Sequence, residues 1–386
     1  MTRGRPAPGP TSKPRVLFVG ALYAGHGTRF SNLRLHTSAD PRILPEYRVI
    51  TGWKEAGFLE RLRFLPSGVR GRCRALVEGA SLARIPRPDV IWTSAGDELL
   101  APYACAQLWR LRRPLIMDVD ATPALLEERA ELYYDRPPKK GLPHRLLDWR
   151  QRVAYASVTW FVAWSRWAAA GLEREGIAAE RIRVLPPGVD LERWRFGARP
   201  PASPVRLLFV GADFDRKGGP LLVDVIRSRF QGRAELDIVT TERVEGGPGI
   251  RVHRAQPNSE KLRSLFAQAH LFVLPTRAEC FGIAAIEAMA SGLPVVMGDA
   301  GAAHEIVDHG RTGWVVPHDG AALAEVLETT VRSPERLTAM GEMAREVAQQ
   351  RYDGRRNDAQ LVDLLLEARR IRRTQDPRGF PLAPGR

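Results

Sequence analysis

The stretch LFVLPTRAECFGIAAIEAMASGLPVVMG, residues 271–298, reads as a strand, a helix and a second strand. A short apolar run closes at Pro275, a helix opens near Gly282, and a second apolar run fills 294–298. Proline and glycine mark the boundaries, and the runs have strand rather than helix length. Strands joined through a helix in this way lie parallel, which places the chain in the α/β class.

Outward from this unit the same alternation continues. In the second half, VRLLFVG (205–211) is followed by a helix from Pro220, then by the strands ELDIVT and IRVHRA and a helix from about Ser259. Beyond 298 come the strand GWVVP and two helices, one capped by Asp319 and one by Ser333 with Pro334 behind it. The first half offers strands at RVLFVG (15–20), YRVIT, DVIWTS (89–94), PLIMD (114–118), VTWFVA (158–163) and RIRVLP (181–186). Helices are expected near 28–38, across 55–84, between the later strands, and over about 357–372. RVLFVGALYAG and VRLLFVGADFD open the two halves alike, and PPGVDLERWRFGARPPASP between them is dense in proline and glycine. We therefore expect two Rossmann-like parallel-sheet domains facing a cleft. The boundaries are a basic tail over 1–13, an acceptor domain over 14–190, a linker over 191–204, a donor domain over 205–354, a terminal helix over 355–373 and a tail over 374–386.

Composition narrows the class. The chain has 386 residues, 44% of them hydrophobic, enough for two packed cores. The most apolar segment, SVTWFVAWSRWAAAGL (157–172), is shorter than a bilayer span and carries Arg166. No signal-peptide core follows Met1, so a cytoplasmic protein is expected. Cys73, Cys105 and Cys280 lack metal-ligand spacing and read as reduced thiols. The net charge is +14, but residues 1–15 carry +4 and 369–386 carry +5. Basic ends suit a peripheral contact with an anionic membrane face, or solvated tails. No nucleic-acid-binding motif accompanies them, which counts against a non-enzymatic basic binding module.

In open parallel sheets ligands bind beyond the carboxyl ends of strands. Two loops have that address. GADFDRKGG (211–219) sets Arg216 and Lys217 among glycines before a helix start, a cradle for phosphate or else an exposed turn. The other is the opening stretch. Its helix begins with N–H groups lacking intrahelical partners, which favour an anion. Glu279 stands before that helix and Glu287 a turn and a half inside it. They are either solvated charges or acceptors for hydroxyls.

The flanking residues decide between these. PTRAECFGIAAIEAMASGLPVV, followed by GAAHEIVDHGRTGWVVPHDGAALAEVL, resembles the donor-site region of the family-4 retaining glycosyltransferases, of the GT-B fold. VGADFDRKGG and RIRVLPPGVDLERW resemble that family's phosphate loop and domain junction. The resemblance implies a terminal helix crossing back to the first domain, a nucleotide-diphosphate sugar as donor (UDP- or GDP-linked), no cofactor and no required metal. By it, Lys217 beside Gly211 holds the donor diphosphate, and Glu279 binds the donor sugar. The backbone of Phe281, Gly282 and Ile283 meets sugar and phosphate, and Glu287 binds the ribose. The acceptor, a glycan, lipid or small molecule, is left open.

The chain also departs from that family. Ala212 stands where an arginine is common, with Arg216 four residues on as a substitute cation. After PLIMD, where family members often place a histidine, the chain reads MDVDATP. Asp118 or Asp120 then binds a sugar or acceptor hydroxyl, helps take its proton, or caps the helix near Thr122. The loop GALYAGHGTR (20–29) is expected to face the cleft, with Gly25 and Gly27 allowing close backbone approach. His26 is a loop histidine, or the base of an inverting transferase or of a nucleotide-sugar epimerase. Trp160, Phe161, Trp164 and Trp167 read as packing, and Cys280 as a small apolar filler.

Overall fold

A computed structural model describes residues 13–21, 24–50, 86–94, 113–138, 151–152, 155–195 and 204–374. The helices expected over 55–84 and after Ser94, most of the helical stretch before 155, residues 1–12 and 375–386 of the basic ends and linker residues 196–203 lie outside the described residues.

The first sheet contains β1 (Arg15–Ala21), β2 (Leu44–Ile50), β3 (Val90–Ser94), β4 (Leu115–Val119), β5 (Trp160–Ala163) and β6 (Ile182–Val184), in the order β2-β1-β3-β4-β5-β6. The second contains β7 (Val205–Val210), β8 (Ala234–Val239), β9 (Ile250–His253), β10 (Leu271–Leu274), β11 (Val295–Gly298) and β12 (Gly313–Val316), in the order β12-β11-β10-β7-β8-β9. All neighbours are parallel. Every residue of β3, β4, β5, β10 and β11 is buried. That explains why these strands read as continuous apolar runs rather than alternating ones.

The helices of the first domain are α1 (Ala24–Thr37), α2 (Pro123–Glu128), α3 (Ala130–Tyr134) and α4 (Arg166–Arg174). Those of the second are α5 (Gly219–Arg229), α6 (Glu260–Gln268), α7 (Ile283–Ala290), α8 (Ala303–Ile306), α9 (Gly320–Arg332) and α10 (Glu335–Arg351). The last, α11 (Gly354–Thr374), returns to the first domain. Its Leu361, Val362, Leu365 and Ala368 share one core with Val16, Phe18 and Trp92. The chain recrosses where Val189 pairs with Asp353, Val189 N donating to the Tyr352 carbonyl at 2.9 Å. A Cβ on Gly188 would fall 2.3 Å from Gly354 Cα, so the two passes meet glycine to glycine.

Two sequence expectations change. Residues 24–29 are not loop, because α1 starts at Ala24 and takes in Gly25, His26 and Gly27. Two early glycines disguised a helix start that packing against the sheet enforces. Ser333 does not cap α10 either. It is the C-cap of α9, and Pro334 leads α10 without a side-chain cap. Asp319 does cap α9, accepting from Ala322 N at 2.8 Å.

Candidate active site

In the second sheet the chain steps from β7 to one side through β8 and β9, and to the other through β10, β11 and β12. The reversal lies between β7 and β10, and in open parallel sheets ligands bind outside the carboxyl ends at such a point. The loops after these two strands hold Lys217 and Glu279. Their side chains form an ion pair and are only 17% and 10% exposed. A Cβ on Gly211 would stand 3.1 Å from Lys217 Cγ, so the glycine leaves room for the lysine stem.

Arg216 is built in beside them. Its Nε donates to Asp213 Oδ2 at 2.7 Å and one Nη to the Ala278 carbonyl at 2.7 Å. The other Nη has no partner among the described residues. Burial opposes the guanidinium charge, but Glu279 and Asp213 outweigh it and hold the cation firmly on.

Gly282 is the N-cap of α7 with φ 92°, a left-handed conformation that glycine adopts without strain. No hydrogen bond among the described residues engages the N–H groups of Phe281, Gly282, Ile283 or Ala284. The Phe281 side chain is turned into the core, so only its backbone is available to a ligand. Glu287 lies on the same helix, 4% exposed, and its carboxylate has no partner among the described residues. Burial alone pushes its carboxyl up to about 8.

The first domain supplies the facing wall. His26 Nε2 lies 3.2 Å from Asp120 Oδ1. Burial works against the imidazolium, but Asp120 outweighs it and holds His26 above its usual range; Asp120 is in turn held below its own, although burial opposes this too. The Asp120 side chain is 23% exposed. Cys280, across the cleft, is pushed well up by burial, with the charges of Asp120 and Glu279 adding to it. Gly25 also faces the second domain, its Cβ direction ending 3.5 Å from Ile283 Cδ1. Gly27 lies within the first turn of α1, where its carbonyl accepts from Ser31 Oγ at 2.8 Å.

Asp118 does not belong to this wall. It is fully buried and accepts from Arg29 Nε at 3.0 Å, Trp92 Nε1 at 2.9 Å and Trp164 Nε1 at 3.2 Å. Arg29 also pairs with Asp358 of α11. No hydroxyl can reach a carboxylate so enclosed, and Asp118 does not cap α2 either: Thr122 does, accepting from Leu125 N at 3.4 Å. Of the two aspartates expected at the site, only Asp120 remains.

Several cross-domain contacts had no marker in the sequence. Glu305 accepts from Arg166 N and Trp167 N, both at 2.8 Å, and so caps α4 from the other domain. Trp164, read as packing, is buried but sets its ring edge-on to Phe281 at 5.9 Å and tilted to His26 at 5.1 Å. Tyr133 of α3 places its hydroxyl 3.3 Å from Cys280 Sγ. Cys280 is thus a contact of the domain interface rather than only a filler. Among the described residues no His, Cys, Asp or Glu cluster is arranged to hold a metal, and no helix is long and apolar enough to cross a membrane.

Residues 204–333 match the family described as Glycosyl transferases group 1, and residues 33–193 match Glycosyltransferase Family 4. The chain belongs to the family-4 glycosyltransferases. A curated relative, the MMP alpha-(1->4)-mannosyltransferase of Mycolicibacterium hassiacum, is 30% identical over 66% of each chain. The D-inositol 3-phosphate glycosyltransferase 1 of Catenulispora acidiphila is 32% identical over 43% of this chain and 47% of its own length. The chain spans about half the length of the first such relatives it matches. Among solved structures, HepE of Anabaena, in complex with UDP-glucose, superimposes with a TM-score of 0.65 at 18% identity, over 92% of this chain and all of that one. Sucrose-phosphate synthase of Thermosynechococcus elongatus does so at 0.73 and 17% identity, over 94% and all. Both resemble this chain in fold, and the fold is GT-B.

Proposed function

We propose that the chain moves a glycosyl group from a nucleotide-diphosphate sugar to an acceptor hydroxyl, with retention of anomeric configuration and without a metal. The observation that carries this reading is the set of groups around the start of α7. Lys217, Arg216 and four N–H groups without a partner among the described residues offer positive charge at one place, and Glu279 and Glu287 offer carboxylates just beyond it. A diphosphate with a sugar at one end and a ribose at the other matches that order of charges. As the sugar–phosphate bond breaks, negative charge grows on the leaving diphosphate, and fixed cations and helix N–H groups stabilise it most at that moment. The named activities of the curated relatives and the UDP-glucose in HepE support the class of donor.

The test is a thermal-shift and donor-hydrolysis screen over UDP-, GDP-, ADP- and dTDP-sugars, with and without EDTA. We expect one nucleotide class to stabilise the protein and to turn over unchanged in EDTA. No shift with any of the four overturns the reading.

The His26–Asp120 pair bears on stereochemistry. An inverting transferase needs the neutral form of a histidine base, and the Asp120 carboxylate shifts His26 toward the protonated form. We assign Asp120 to a hydroxyl of the sugar or acceptor, with His26 keeping it ionised. His26→Gln preserves a hydrogen-bond donor to Asp120, and is expected to lower kcat less than about tenfold. A base at this position would cost about 10²–10⁴. NMR of the product settles the same point, since a β-linked product from an α-donor overturns retention.

A further inference from the structure

The arm formed by α2 and α3 reaches from the first domain onto the donor loops of the second. It is anchored at its base. Thr122 caps α2, Ala124 N donates to Glu175 Oε1 at 3.1 Å, and Arg136 pairs with Glu127 at 2.6 Å. It turns away at Asp135, whose left-handed φ of 49° ends α3 directly after Tyr134. Tyr133 lies near its tip. The Arg216 guanidinium sits 5.0 Å above the centre of the Tyr133 ring, and the Tyr133 hydroxyl touches Cys280, next to Glu279.

Resting on the donor reading above, we infer that Tyr133 is a positioning residue: its ring is the platform that holds Arg216 against the donor diphosphate when the two domains are together. The geometry supports each part. The Arg216 side chain is 15% exposed and fastened at Nε and one Nη, leaving the other Nη to a ligand. A planar guanidinium fastened at one edge still rocks about that edge, and an aromatic face beneath it removes the motion. The ring belongs to the other domain, so the cation is fully steadied only with the cleft closed.

The test is a double-mutant cycle read by calorimetric binding of whichever of UDP, GDP, ADP or dTDP stabilises the wild-type protein. Tyr133→Phe keeps the ring and is expected to bind as wild type. Tyr133→Leu keeps apolar bulk without a π face and is expected to bind about tenfold more weakly, within the range of a partly desolvated cation–π contact. In an Arg216→Ala background Tyr133→Leu is expected to change nothing further, since it acts through Arg216. In Tyr133→Leu kcat should fall along with nucleotide affinity, because Arg216 meets the charge that grows on the leaving diphosphate. Equal binding by wild type and Tyr133→Leu overturns the inference and leaves the donor reading standing. So does a loss that persists undiminished without Arg216, or an equal loss in Tyr133→Phe, which would place the role in the hydroxyl–thiol contact. Failure of the wild-type protein to bind any of the four nucleotides overturns both.

Discussion

Lys217→Ala is expected to lower kcat/KM by about 10²–10³, the usual loss when one preorganised group that meets transition-state charge is removed. Two effects add here. The ammonium that neutralises the leaving diphosphate disappears, and Glu279, only 10% exposed, loses its ion-pair partner. A lone carboxylate beside the phosphates then repels them, with little water to screen it. Lys217→Arg keeps the charge but replaces a compact ammonium with a planar fork in the space Gly211 leaves, so partial activity is expected. Glu279→Ala in the Lys217→Ala background relieves the repulsion and should recover nucleotide binding without recovering turnover. Circular dichroism should change little, because the pair lies in loops outside the two sheets, while the melting temperature should fall because Glu279 is left largely buried without its ammonium partner. Near wild-type turnover in Lys217→Ala would remove this lysine from the donor site.

These assignments were open to sequence reading because the second domain's loops are short and heavily punctuated. Pro275, Gly282, Gly292 and Pro294 mark each boundary of the unit around α7, and the structure places the helix within a residue of that reading. Glycines in a first turn misled at α1, where tertiary packing overrode local preference. The pair Asp118 and Asp120 shows where single-sequence reading stops. The two carboxylates are alike on paper and two positions apart. But β4 runs to Val119, so Asp118 is still inside the sheet while Asp120 has left it. What closes Asp118 off is Arg29, 89 residues away, and nothing local announces that partner. Tyr133 was invisible for the same reason, since it meets Cys280 across 147 residues. Contacts between domains are made of residues with no periodicity in common, whereas strands and helix starts carry their signal within a few positions.

Glu287→Gln is expected to flatten the dependence of stability on pH. The folded protein holds the Glu287 carboxyl at about 8, against an ordinary 4.5 when the chain unfolds, because burial disfavours the charge. Between these values the folded state keeps a proton that the unfolded state has lost. Stability contributed by this group is therefore full below about pH 4.5 and falls as pH rises through 8, at a slope of up to about 1.4 kcal/mol per pH unit. Glutamine carries no proton to lose, so urea unfolding of the variant should show no such slope from this position between pH 5.5 and 8. Ligand binding should move the same proton. Two ribose hydroxyls donate best to an ionised carboxylate, so nucleotide binding to the wild-type protein is expected to release a proton near neutral pH. Calorimetry in buffers of different ionisation enthalpy reads that release directly. Glu287→Gln should bind the nucleotide more weakly and release none. A wild-type protein whose stability is flat over this range, and whose binding heat is independent of buffer, would mean that Glu287 is ionised before the nucleotide arrives. Its burial without a partner would then no longer support its assignment to the ribose.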